Sequence, residues 1–181
     1  TAAIAMTAAS VQAGERVGDV ALIDHNGAFQ HMSWYDDHSA AVIMPFTAGT
    51  VLSAFSTLES EYGKQGVAFF LMHPGLDSDR SVVATELSAA GGDYPVLMDD
   101  TQLVTEMLGI NQLDQAVVYN PKSFEVLYRG PVSAEMEASI NAAMNGEKSD
   151  LVTVAAQGAA IEFANQDAHA SLSYTNDIAP I

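Results

Sequence analysis

Residues 40–50 read AAVIMPFTAGT, and this stretch decides the fold. Residues 40–46 form a continuous apolar run, the pattern of a central strand buried on both faces. Pro45 belongs at its end, because proline cannot donate a ladder hydrogen bond. Thr50 then opens a helix in which Val51, Phe55, Leu58 and Tyr62 recur at helical spacing, closed by Gly63 and Gly66. A second apolar run, VAFFLM at 67–72, follows at once and completes a βαβ unit.

Before this unit, residues 20–23 and 29–34 flank Asp24-His25-Asn26-Gly27. An Asn-Gly pair between short apolar runs predicts a β-hairpin. After it come the turn His73-Pro74-Gly75 and a helix over 79–90, with Val83 and Leu87 on one face. A strand at 94–98, a short helix at 101–108 ending at Gly109, and a strand at 115–119 closed by Asn120-Pro121 are expected next. Residues 124–128 pair back on that strand, and 133–145 form the last helix, with Met136, Ile140, Ala143 and Met144 on its apolar stripe. Beyond Lys148 the pattern weakens to a strand at 151–155 and a Gly, Ala and polar run, expected as a tail leaving the domain.

The chain of 181 residues suits one domain. A hydrophobic fraction of 49% with only 16% charged residues points to a packed globular chain. The net charge of −17 disfavours nucleic acid and anionic lipid surfaces, and favours a basic protein, a cationic ligand or a divalent metal. The plainer reading of that charge is solubility or salt adaptation. There is no cysteine, which excludes disulfides, thiolate nucleophiles, thiolate metal sites and covalent haem attachment within these residues. The opening TAAIAMTAASVQA, residues 1–13, ends in a small-x-small pattern before Gly14-Glu15-Arg16. It reads as the end of a signal peptide or, alternatively, as an Ala-rich extension, and no other stretch is apolar enough to span a bilayer. The expected organisation is therefore an extension over 1–13, one domain over 15–147 and an extension or linker over 148–181.

Four quoted pieces carry a family resemblance: LIDHNGAFQHMSWYDDHSAAVIM, YGKQGVAFFLMHP, YPVLMDDTQLVTEMLGI and AVVYNPKSFEVLYRGPV. In this order they resemble the redoxin family, which includes alkyl hydroperoxide reductases and thiol peroxidases. The resemblance implies an α/β, thioredoxin-like fold, a central mixed β-sheet flanked by helices with an N-terminal β-hairpin. It also implies a nucleophilic cysteine at the start of the helix after the first central strand, where the helix dipole stabilises a thiolate. Here that place reads Thr47-Ala48-Gly49-Thr50, with Thr50 where the cysteine would stand. A threonine hydroxyl stays protonated near neutral pH and cannot replace a thiolate; as a helix N-cap its role is structural. Before the later central strand, where thioredoxins carry a cis-proline, the chain has Leu113-Asp114-Gln115. A second family cysteine, in a Gly-Cys-Ala-Ile-like string, is matched by Gly158-Ala159-Ala160-Ile161. The degenerate site is thus Thr47, Gly49, Thr50 and Asp114, with no catalytic residue. Residues 171–181, SLSYTNDIAPI, resemble the lead-in to a c-type cytochrome domain.

Among His25, His31, His38, His73 and His169, only His31 and His38, with Asp36 and Asp37 between them, suggest a loose copper or zinc site. The pairs Asp77/Asp79 and Asp99/Asp100 do not follow a calcium-loop pattern and read as helix caps. Trp34-Tyr35, just before the first central strand, reads as a core or rim aromatic pair or, alternatively, as packing over the degenerate site, and the methionines read as core filling. The expectation is a non-catalytic structural or docking module, periplasmic or secreted, with a protein partner such as a c-type cytochrome or an adjoining haem domain. It needs no cofactor of its own and has no membrane span. The alternative is a small-ligand or metal-binding protein, or a thiol-independent enzyme, using the degenerate pocket.

Overall fold

The computed structural model describes residues 10–12, 15–76, 78–148 and 150–164. The first central strand, β5 (Ala40–Pro45), is buried at every position, as the apolar run requires. It lies between β6 (Val67–His73), parallel to it, and β8 (Ala116–Asn120), antiparallel. β7 (Val96–Met98) continues the parallel side. On the other side β9 (Glu125–Gly130) pairs antiparallel with β8, and β10 (Leu151–Thr153) runs parallel to β9. β1 (Ser10–Gln12) closes that edge on β10, while β2 (Glu15–Arg16) pairs with β9. The result is an eight-stranded mixed sheet in the order β1-β10-β9-β8-β5-β6-β7 with β2 beside β9. The hairpin of β3 (Ala21–Ile23) and β4 (Phe29–His31) forms a separate two-stranded sheet.

Strand alternation divides the core between the two faces of the large sheet. Val42, Met44, Phe69 and Leu71 pack with Phe55, Leu58 and Tyr62 of α1 (Ser53–Tyr62), Val83 and Leu87 of α2 (Arg80–Ala89), and Met136 and Ile140 of α4 (Ala134–Met144). The intervening Ala41, Ile43, Phe70 and Met72 pack with Val20 and Met32 beside the hairpin, and with Leu108 and Ile110 after α3 (Leu103–Met107). The hairpin turn is organised by Asp24, whose Oδ1 accepts the Asn26 and Ala28 N–H groups at 2.9 and 3.0 Å. Gly27 supplies the left-handed residue there, with φ 83°.

Four expectations need correction. Thr50 does not cap α1: the helix begins at Ser53 after Leu52, with no side-chain cap, because the Thr50 hydroxyl is engaged in the turn ahead. Val51 consequently falls outside the helical stripe and is 78% exposed. The segment after Lys148 does not leave the domain at once. Beyond β10, Leu113 N–H bonds Ala159 O at 2.9 Å and Ile161 N–H bonds Asn111 O at 2.9 Å. Gln102 secures the same strap: its Nε2 donates to Pro74 O and Glu162 O at 2.9 and 3.0 Å, and its Oε1 accepts from Ala164 N–H at 3.2 Å. Of the expected caps, Asp79 forms the N-cap of α2, accepting Ser81 N–H at 2.8 Å; the N-cap of α3 is Gln102, and Asp99 instead accepts Thr105 N–H within the first turn at 2.6 Å. No described helix is long and apolar enough to cross a membrane.

Candidate functional site

The residues expected to form the degenerate site, Thr47, Gly49 and Thr50, lie where β5 runs out. Phe46 N–H still bonds Met72 O at 2.8 Å, and the chain then reverses in a turn over Thr47, Ala48, Gly49 and Thr50. Thr50 N–H returns to Thr47 O at 3.0 Å, and the Thr50 hydroxyl oxygen accepts Thr47 N–H at 3.0 Å. Gly49 has φ 85°, with nothing within 4 Å of where a Cβ would sit. It is therefore required by backbone conformation and not by space.

This turn and the first turn of α1 form one wall of an open cavity of about 410 Å³. The opposite wall is Leu113 and Asp114 of the loop ahead of β8, Pro131 and Val132 after β9, and Gly158 of the strap. Met44 and Phe55 also line it. Thr47, Gly49, Thr50 and Asp114, separated in sequence, thus border a single space. Gly158 adds the neighbourhood of the second position where the resemblance places a thiol. That contribution was visible only through the Gly158-Ala159-Ala160-Ile161 match, since no periodicity brings residue 158 beside residue 50.

Asp114 is the sole ionisable side chain among the described residues lining the cavity. Its Oδ2 accepts Gln157 N–H at 2.9 Å, and its buried Oδ1 has no hydrogen-bond partner among the described residues. A Cβ on residue 158 would press on Oδ1 and come within 2.7 Å of the carboxyl carbon, so glycine there lets the strap close over the carboxylate. On the α2 side the same turn borders a second hollow of about 310 Å³, where Glu86 is the charged group. All described peptide bonds are trans, including those of Leu113-Asp114-Gln115.

The metal candidates are not brought together into a site. His31 pairs with Asp19 at 2.7 Å and hydrogen-bonds Ser33 at 2.9 Å, while His38 pairs with Asp37 at 2.6 Å. That bond to His38 holds the Asp37 carboxyl below its ordinary range. Among the described residues no group of three or more His, Asp or Glu side chains is arranged to hold a metal. Trp34-Tyr35 lies away from the cavity: Trp34, 62% exposed, packs on Phe29 and His31, and Tyr35 packs edge-on against Phe70. Of the two readings of this pair, packing over the degenerate pocket is the one corrected here, since neither ring lines the cavity. Asp77, His169 and residues 171–181 lie outside the described residues.

No protein-family model matches the chain, and no curated protein matches it. Solved structures do. A hypothetical protein from Sinorhizobium meliloti 1021 is 19% identical with a TM-score of 0.71, covering 86% of this chain and 96% of its own. A thiol:disulfide interchange protein of the thioredoxin family from Chlorobium tepidum TLS is 14% identical with a TM-score of 0.57, covering 72% and 97%. The peroxidoxin BcpB from Mycobacterium tuberculosis is 18% identical with a TM-score of 0.55, covering 75% and 96%. At such identities the likeness is one of fold.

Proposed function

We propose that this thioredoxin-fold chain without cysteine is a non-catalytic docking module that works by binding at the cavity beside Thr50, where the redoxin resemblance would place a thiol. One observation carries the reading: the space beside Thr50 is open, with apolar walls, while the Thr50 hydroxyl oxygen is engaged by Thr47 N–H. A hydroxyl held in a turn, with no His or Lys among the described lining residues to activate it, supplies no nucleophile. A mostly apolar concavity of a few hundred cubic ångströms with one or two polar groups suits a bound group. The test is to assay the purified chain for peroxide consumption with dithiothreitol and for insulin disulfide reduction. The reading expects rates equal to protein-free controls; turnover that scales with protein would overturn it.

A second observation, the net charge of −17, favours a basic protein partner. In this finer reading the module works in the periplasm beside a c-type cytochrome, whose basic surface the acidic domain would steer toward itself. Binding of a basic cytochrome c at low ionic strength that weakens steeply with added salt would support it. Absence of binding at low salt would remove it.

A further inference from the structure

We infer that the cavity selects an amphipathic organic cation: an apolar body seated between the Thr47–Thr50 turn and Val132, with an ammonium group at Asp114. This rests on the binding role proposed above and adds the chemical class of the ligand. The walls contributed by Met44, Val51, Phe55 and Leu113 call for an apolar body. Asp114 calls for the charge. Oδ1 is enclosed beneath the strap, so the ammonium would meet Oδ2, which among the described residues receives a single hydrogen bond, from Gln157 N–H, and keeps a further acceptor position. It forms no ion pair with any described basic side chain.

The surroundings point the same way. No Lys, Arg or His is among the described residues lining this cavity, or the adjoining hollow that shares Ala48, Gly49 and Thr50. The charged group of that hollow is Glu86, a second carboxylate. With the chain at −17, an anionic head would meet negative charge locally and at long range, and a cation would meet attraction at both scales. The Thr47 and Thr50 side chains add hydroxyl groups to the lining, which accommodate either a neutral or a cationic polar head.

The probes are n-hexylammonium, 1-hexanol and hexanoate, which share one apolar body and differ in the head. Each is titrated into the full chain at neutral pH and low salt, following backbone amide resonances. Hexylammonium is expected to bind tightest, shifting residues 47–55, 113–114 and 158, and hexanoate about tenfold more weakly, as one charged hydrogen bond would give. Asp114→Asn keeps an acceptor for Gln157 N–H, and is expected to abolish the preference for hexylammonium over hexanol and hexanoate. Added salt should shrink the preference of the unaltered chain, a readout that does not depend on the variant folding. Equal affinities for the three probes in the unaltered chain would overturn the charge selection and leave the binding role standing. Cavity resonances unmoved by all three would overturn both.

Discussion

Asp114 and Gln157, 43 residues apart, are joined by a 2.9 Å hydrogen bond from the Gln157 N–H to Oδ2. This bond fastens the C-terminal strap to the loop ahead of β8 and so closes one side of the cavity. The strap is part of the site, and its fit is tight at residue 158. Gly158→Ala would set a methyl group against the Asp114 carboxyl carbon at 2.7 Å and its backbone nitrogen at 2.9 Å. Because backbone is among the obstructing atoms, relaxation is costly. We expect a loss of about 1–3 kcal/mol in stability by urea denaturation, in the range of overpacking. Exchange of the Gln157 amide should also rise.

The turn at residues 47–50 gives a prediction that separates its hydroxyl from its shape. Thr50→Ser keeps the acceptor for Thr47 N–H, and should leave stability nearly unchanged. Thr50→Val removes the acceptor and strands that half-buried N–H, for a cost of about 1 kcal/mol. Comparison of the two urea midpoints is the measurement. Equal midpoints would show that the hydrogen bond contributes nothing.

Much of this architecture is legible in the sequence. The run over 40–46 announces a central strand because both of its faces are buried, and Asp24 to Gly27 announces the hairpin because glycine meets a left-handed turn residue. Thr50 misleads, since a threonine before an apolar stripe has the chemistry of a cap. What decides its role is Gly49, whose positive φ turns the hydroxyl back on Thr47. The strap over 157–164 is illegible for another reason. It is held by backbone hydrogen bonds and by Gln102, and neither leaves a periodic signature. Asp114 could be placed at the cavity only through the family resemblance.

Gln102 carries the next prediction. It holds a left-handed conformation, φ 61°, unusual for a residue other than glycine, and spends its amide on Pro74, Glu162 and Ala164. Gln102→Ala removes these hydrogen bonds while keeping a Cβ. Hydrogen exchange at Ala164 should accelerate by about tenfold or more, as for a locally released segment, with core strands β5 and β6 still protected. Unchanged exchange at Ala164 would mean that the backbone pairing to Asn111 and Leu113 suffices.

Stability should also respond to His73. Burial pushes its pKa below the ordinary 6.5, with Glu86 and Asp100 opposing in part. Its Nδ1 accepts Gly75 N–H at 3.2 Å, a bond that protonation there would break. The unfolded chain therefore takes up the proton more readily. The contribution of His73 is fully present above about pH 6.5 and is lost as pH falls toward the depressed folded value. Urea midpoints from about pH 8 to about pH 5.5 should fall less for His73→Gln than for the unaltered chain. Parallel curves would contradict this.

The space beside Thr50, where the redoxin resemblance would place a thiol, is proposed to be a binding cavity. This is tested most directly by titrating the neutral probe 1-hexanol and mapping amide shifts along the chain. Saturable shifts are expected, confined to Thr47, Thr50, Val51, Ala54, Phe55, Leu113, Asp114, Val132 and Gly158. Shifts that fail to saturate, or that gather at the exposed Phe29 and Trp34 instead, would contradict it.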